Sequence, residues 1–211
     1  MKKIISLFKR NYDGDFLVYN EVVPGAEWVI DGKGVATEKA DGTAAAIIDG
    51  KYYKRYDRKL TKSAFKRKKA GHKGPWQIKD FKPKPEGWIN CEAKPDQVTG
   101  HWPGWIPVNM NKDYYFVEAL ERYKEKYRKM PPNGTYEVIG PRVNANPYKL
   151  SSHEIKRHKD LVLVDFPPRD FDGIKEWLGE HELEGIVWHW EDKMVKIKRR
   201  DFGLKWPIKQ Y

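Results

Sequence analysis

Residues 184–198 read Glu184-Gly185-Ile186-Val187-Trp188-His189-Trp190-Glu191-Asp192-Lys193-Met194-Val195-Lys196-Ile197-Lys198. Two apolar-rich runs flank a polar Glu191-Asp192-Lys193 turn, a pattern that predicts a β-hairpin. A period of two puts Met194, Lys196 and Lys198 on one face of the second strand, and Val195 and Ile197 on the other. In the first strand Glu184, Ile186 and Trp188 share a face. Such a hairpin brings the strand that Glu184 opens beside both lysines. Taken alone, the pattern also fits a half-buried strand with a solvated lysine face.

Two earlier segments carry similar chemistry. In Thr37-Glu38-Lys39-Ala40-Asp41-Gly42-Thr43 a lysine ends one predicted strand (34–38) and precedes an Asp-Gly turn into the next (43–48). A loop between strands presents a side chain accurately and leaves it accessible. In Tyr136-Glu137-Val138-Ile139-Gly140-Pro141 a carboxylate interrupts an apolar strand, 135–139. Asp49-Gly50 is a two-residue hairpin signal that pairs 43–48 with 51–56. Strands are also expected at 26–30 and 161–165, a basic helix at 61–69, and a short helix from an Asp172 cap to Leu178. Phe116, Leu120, Tyr123, Tyr127 and Met130 recur at helical spacing and predict a helix over 113–130, capped by Asp113 and stopped by Pro131-Pro132-Asn133-Gly134. Between them, residues 71–112 hold four of the nine tryptophans with little periodicity. Short antiparallel strands with interspersed helices indicate an α+β fold.

The 211 residues suit a single domain over 1–211. No apolar run approaches the ~20 residues of a membrane span, and the apolar stretch near the N-terminus is shorter than the ~7–15 residues of a secretory signal. Cys91 is the only cysteine, which excludes an internal disulfide and a cysteine-based zinc site and points to a reducing, cytoplasmic setting. The net charge of +11 implies a polyanionic partner. It is concentrated between Lys51 and Lys73, where eleven lysines and arginines face one acid, Asp57. That patch fits either RNA phosphates or a solvated basic helix. Trp88, Trp102 and Trp105 fit core packing better than base stacking. The six histidines show no metal-ligand spacing, and His153 and His158 are expected on the surface.

In chain order, Lys39-x-Asp41-Gly42, the strand glutamate Glu137, Glu184-Gly185-Ile186-Val187 and Lys196-x-Lys198 resemble motifs I, III, IV and V of the covalent nucleotidyltransferase superfamily, which comprises the ATP-dependent ligases and mRNA capping enzymes. Further blocks narrow the likeness: Ala36-Thr37-Glu38-Lys39, Asp57-Arg58-Lys59, Pro103-Gly104-Trp105, Asn146-Pro147-Tyr148, Trp188-His189 and Gly203-Leu204-x-Trp206-Pro207. They resemble the compact 5′-to-3′ RNA ligase family that includes a vertebrate RNA ligase. The likeness runs from about residue 35 to 208.

The resemblance implies a ligase adenylation domain of twisted antiparallel sheets with flanking helices. It implies ATP as co-substrate, Mg²⁺ or Mn²⁺ as cofactor, and RNA 5′-phosphate and 3′-hydroxyl ends as partners of a monomer. Lys39 would be the nucleophile that becomes lysyl-AMP. Lys196 and Lys198 would hold phosphate, and Glu184 and Glu137 a hydrated metal ion or the ribose. Glu38 would meet the adenine edge with Thr37 beside it, and Ile186 an adenine face. Arg55 or Arg58 would act as the motif Ia arginine. Only 13 residues follow Lys198, too few for the OB-fold and basic motif VI of DNA ligases and capping enzymes. Two other readings remain: a DNA-joining or GTP-using relative, and a non-catalytic basic RNA-binding module.

Overall fold

The computed structural model describes residues 4–208. The chain packs as two compact units that alternate along the sequence. A terminal unit is drawn from residues 4–42, 139–151 and 156 onward, and a central unit from 43–138 and 152–155. The fold is α+β, with several antiparallel sheets and few helices.

The terminal unit is built on a four-stranded sheet in the order Ile5–Ser6, Lys193–Lys198, Gly185–Trp190, Val35–Glu38. The predicted hairpin forms, with Gly185 opposite Lys198 and Val187 opposite Lys196. One face carries Ala36, Ile186, Trp188, Val195 and Ile197 into a core shared with Leu7, Phe8, Trp28, Ile174 and Leu178. The helix Phe171–Glu180 covers this core through Ile174, Trp177 and Leu178, spaced three and four apart. Its cap is Asp170, whose carboxylate accepts the Gly173 N–H at 2.8 Å, rather than the expected Asp172. Arg199, 6% exposed, serves the other end of that helix: it donates to the carbonyls of Leu178 and His181, where a cation also favours the helix dipole.

Two predicted strands of this unit do not form. Residues 26–30 fold as the short helix Glu27–Ile30, which buries Trp28 and Val29. A five-residue run with four apolar residues is ambiguous between strand and helix, and Gly25, which gives its N–H to the Glu27 carboxylate at 2.8 Å, starts the helical turn. Residues 161–165 make only a bridge from Val162 to Thr37, before Pro167-Pro168 ends the extended path.

The central unit contains a six-stranded sheet in the order Glu154–Arg157, Gly134–Ile139, Thr43–Ile48, Lys51–Arg55, Gly104–Pro107, Ile89–Asn90. On one face Ala45, Ile47, Tyr52, Tyr136 and Val138 pack against Ala119 and Leu120 of the helix Tyr114–Tyr127. On the other, Ala46 and Tyr53 pack with Trp105. The helix is shorter than its apolar pattern: Arg128 turns left-handed at φ 55°, and Tyr127 and Met130 stay exposed. Asp113 does not cap it; its carboxylate instead accepts the Asn109 N–H at 2.7 Å and pairs with Lys54. His153 is buried rather than superficial, stacked on Tyr115 at 4.6 Å and paired with Glu118. That pairing holds the Glu118 carboxyl below its ordinary range. Trp76, Trp88 and Trp102 of the irregular 71–112 stretch join Leu60, Ala64 and Phe81 in a third core, under the basic helix Lys62–Lys69.

The structure predicts that Arg199→Ala orphans the carbonyls at the end of helix Phe171–Glu180. Urea unfolding should show a loss of about 1.5–3 kcal/mol, the worth of charge-assisted hydrogen bonds, and Arg199→Lys should recover only part of it.

Candidate active site

The predicted motif residues of the terminal unit converge at one end of its sheet. The strand Val35–Glu38 delivers Lys39 to the point where its N–H donates to the Gly185 carbonyl at 2.8 Å. Gly185 is required there by close approach: a Cβ would lie 2.2 Å from the Ile197 carbonyl oxygen. Glu184, one residue earlier, is 9% exposed and forms an ion pair with the Lys39 ammonium. Burial raises the Glu184 carboxyl above its ordinary range, outweighing the opposing pull of Lys39 and Lys198.

Lys196 and Lys198 rise from the neighbouring strand on the same sheet face as Val187 and Gly185. Asp201 fixes the strand end by accepting the Lys198 N–H at 2.9 Å. Burial, with Lys39 and Lys198 as neighbouring positive charges, lowers Lys196 to about 8. Lys39, Lys196 and Lys198 thus share a small region with the buried carboxylates of Glu184 and Asp201. A cluster of ammonium groups of this kind can hold an anion such as a phosphate.

Two expected contacts of this unit fall differently. Ile186 is fully buried in the apolar core, on the face away from Lys196, and has no surface to offer a base. A period-two strand assigns the lysine face to Val187 instead. Thr37 is also committed: its hydroxyl donates to the Val187 carbonyl at 3.0 Å and meets His189 Nε2 at 3.1 Å. Glu38 accepts a hydrogen bond from the Tyr148 hydroxyl at 3.1 Å.

The structure adds three residues that had no role assigned from sequence. Tyr148 Oη, besides donating to Glu38, accepts the Asp41 N–H at 2.8 Å. Asn144 donates its amide to both Asp41 Oδ1 (2.8 Å) and the Gly42 carbonyl (2.9 Å). Trp206 donates its indole N–H to Asp41 Oδ2 at 2.7 Å. Lys39 is therefore followed by a turn pinned from three directions. Asn144, Ala145 and Asn146 all have positive φ (46°, 61° and 52°), a costly conformation for side-chain-bearing residues. The Asn-rich run before Pro147 is the local signal of such a turn. Its partners, about a hundred residues away in sequence, left no such signal.

Arg55, Arg58 and Glu137 belong to the central unit. Glu137 lies on the strand Gly134–Ile139 opposite Ala44. Arg55 pairs with Asp57 and lies 5.6 Å above the Trp105 ring. Arg58 is excluded from phosphate binding by its surroundings. It is 5% exposed, flanked by Trp88 and Trp102 at 5.1 and 5.0 Å, and donates twice to the Lys82 carbonyl.

Among the described residues no three His, Cys, Asp or Glu side chains gather as a metal cage. Glu184 is the carboxylate paired with Lys39, and Asp201 is engaged by the Lys198 N–H and by Arg10. One carboxylate is compatible with Mg²⁺, which keeps several waters and binds through one or two carboxylates together with substrate phosphates.

The RNA ligase 1 family model matches residues 20–127 and 129–211. RNA ligase 1 of Danio rerio is 34% identical over 223 residues, covering 82% of this chain and 68% of that protein. RNA ligase 1 of Rattus norvegicus is 32% identical over 224 residues, with 82% and 69% covered. RNA ligase 1 of Mus musculus is 31% identical over 224 residues, with 82% and 68% covered.

The pinned turn predicts that Trp206→Phe, which keeps the ring and removes the donor, costs about 1.5–3 kcal/mol in urea unfolding. In the same variant, and in Asn144→Ala, amide hydrogen exchange at residues 40–43 should accelerate.

Proposed function

This chain belongs to the RNA ligase 1 family, and on that premise we propose that it is an ATP-dependent RNA ligase working through a lysyl-AMP intermediate on Lys39. The observation that carries the proposal is the Lys39 ammonium paired with Glu184, close enough to Lys196 and Lys198 for their charges to act on one another.

Three displacements make up the reaction. The Lys39 amine forms a bond to the α-phosphorus of ATP as the bond to pyrophosphate breaks. An oxygen of the RNA 5′-phosphate then attacks the AMP phosphorus, and the phosphoramide bond to Lys39 breaks. Finally the RNA 3′-hydroxyl attacks the 5′-phosphate, the phosphodiester forms and AMP leaves.

An ammonium is no nucleophile, so Lys39 must lose its proton before or during the first attack. Glu184 is hydrogen-bonded to that nitrogen, and its raised carboxyl range suits it to receive a proton. Lys196 and Lys198 would balance the negative charge that builds on the transferring phosphoryl oxygens. The turn held by Tyr148, Asn144 and Trp206 limits how far Lys39 can wander, which lowers the entropic part of the barrier. A hydrated Mg²⁺ or Mn²⁺, held by Glu184, would supply further neutralisation of phosphate charge. For Glu137 and Arg55 the assignment to nucleotide or metal rests on motif order. Glu38 would meet the adenine edge.

Incubation with Mg²⁺ and ATP should add the mass of one AMP to the intact protein, and Lys39→Ala should abolish the addition. An unmodified parent protein would refute the proposal. Labelling by GTP in place of ATP, or sealing of nicked DNA in preference to RNA, would favour a different nucleotidyltransferase. RNA binding with no adduct would favour a non-catalytic module.

The depressed Lys196 gives a pH signature. Its ammonium, the phosphate-binding form, predominates below about pH 8 and is lost as pH rises through that value. Single-turnover adduct formation should therefore fall on an alkaline limb near pH 8. Lys196→Arg, whose guanidinium stays charged, should move that limb to higher pH whatever its effect on the maximal rate.

A further inference from the structure

The basic patch of the central unit divides into used and unused cations. Arg67 pairs with Asp80 and lies 5.7 Å from the Trp76 ring. Lys68 donates to the Thr99 carbonyl at 2.5 Å, and Arg58 is locked beneath Lys82. Two of the remaining exposed cations, Lys59 and Lys62, line a cleft of about 240 Å³ together with Lys82, Phe65 and His101 over the buried Leu60. No acidic side chain lines it among the described residues.

The backbone sets the spacing of these groups. Lys59 pairs with His101 across a two-stranded antiparallel ribbon, and the Lys82 N–H donates to the Lys59 carbonyl at 2.9 Å. Three adjacent extended segments thus each offer one cationic or aromatic side chain. The helix Lys62–Lys69 adds Phe65, whose side chain is 49% exposed with the Lys69 ammonium 5.2 Å from its ring centre. Phe65 therefore keeps half of its surface open to water beside the cleft, with an ammonium group close to its ring.

The geometry points to a binding site for single-stranded RNA, in which Lys59, Lys62 and Lys82 take backbone phosphates and Phe65 stacks an unpaired base. This rests on the reading of the chain as an RNA ligase and adds where that substrate is held. Cations supply the salt-dependent part of such binding. An exposed aromatic ring supplies the stacking part, open to unpaired bases because those of an A-form duplex are already stacked. An acidic protein partner would use the lysines but has no need of the ring.

The test is fluorescence anisotropy of a short labelled single-stranded RNA with the full chain at several salt concentrations. Combined Lys59→Glu and Lys82→Glu should weaken binding at least about tenfold, and should flatten the log–log salt slope by about 1.4, from ~0.7 per lost phosphate contact. Phe65→Ala should weaken binding by about 5- to 150-fold, the equivalent of ~1–3 kcal/mol of stacking, with the slope unchanged, and Phe65→Trp should restore it. Combined Lys126→Glu and Lys129→Glu, in the last turn of the helix Tyr114–Tyr127 and just beyond it, should bind like the parent.

The site is overturned if both cleft variants bind like the parent, or if the Lys126/Lys129 control loses as much. It is also overturned if the parent prefers an RNA duplex of equal length, or if polyglutamate competes as well as RNA. The AMP adduct of the parent is weighed separately. Its absence would remove the ligase reading, whereas its presence with RNA binding untouched by the cleft variants would remove only this site.

Discussion

The terminal unit depends on a backbone contact that has no room for a side chain. At Gly185 a Cβ would stand 2.2 Å from the Ile197 carbonyl oxygen and 2.8 Å from the Lys198 Cα. This approach lets the hairpin close at the same residue whose carbonyl receives the Lys39 N–H. A larger residue would push Lys198 away on one side and disturb Lys39 on the other. Glycine weakens most strands; here its lack of a side chain places two lysines and a glutamate around a single point.

Around that contact the sheet separates packing from chemistry by face. Ile186, Trp188, Val195 and Ile197 bury apolar surface against the helix Phe171–Glu180, and a truncation such as Trp→Ala in such a core typically costs ~3–5 kcal/mol. Lys196 and Lys198 occupy the opposite face. The core can therefore hold the strands rigid without neutralising the cations they carry. Glu184 shows the electrostatic consequence: its burial favours the neutral acid, while the neighbouring Lys39 and Lys198 pull the other way. The loop from Asn144 to Tyr148 adds a different kind of rigidity, in which unfavourable backbone angles are offset by hydrogen bonds to Asp41, Gly42 and Glu38.

The basic patch illustrates how a charge count overstates a binding surface. Of the cations between Lys51 and Lys73, Arg58 and Lys68 hold backbone carbonyls, and Arg55 and Arg67 hold carboxylates. The tryptophans of the irregular stretch are core, and several of these arginines lie on them. Composition counts all of these charges alike; packing leaves only some of them facing water.

Local patterns in the sequence were sufficient for the hairpin at 184–198, the strands flanking Asp49-Gly50, the core of the helix at 114–127 and the order of the motifs, because alternation, turn chemistry and helical spacing are properties of neighbouring residues. They were insufficient at 26–30 and 161–165, where short apolar runs fit more than one backbone. They also assigned Ile186 to the nucleotide and left Arg58 open as a phosphate ligand, since neither a residue's sheet face relative to the core nor its distant partners are written locally. Tyr148, Asn144 and Trp206 meet the Lys39 turn from 100 or more residues away. Chain order and local periodicity thus determined which strands form and which residue types they carry. Burial and long-range hydrogen bonds, which exist only once the chain is folded, decided which of those residues are committed to structure and which remain available for chemistry.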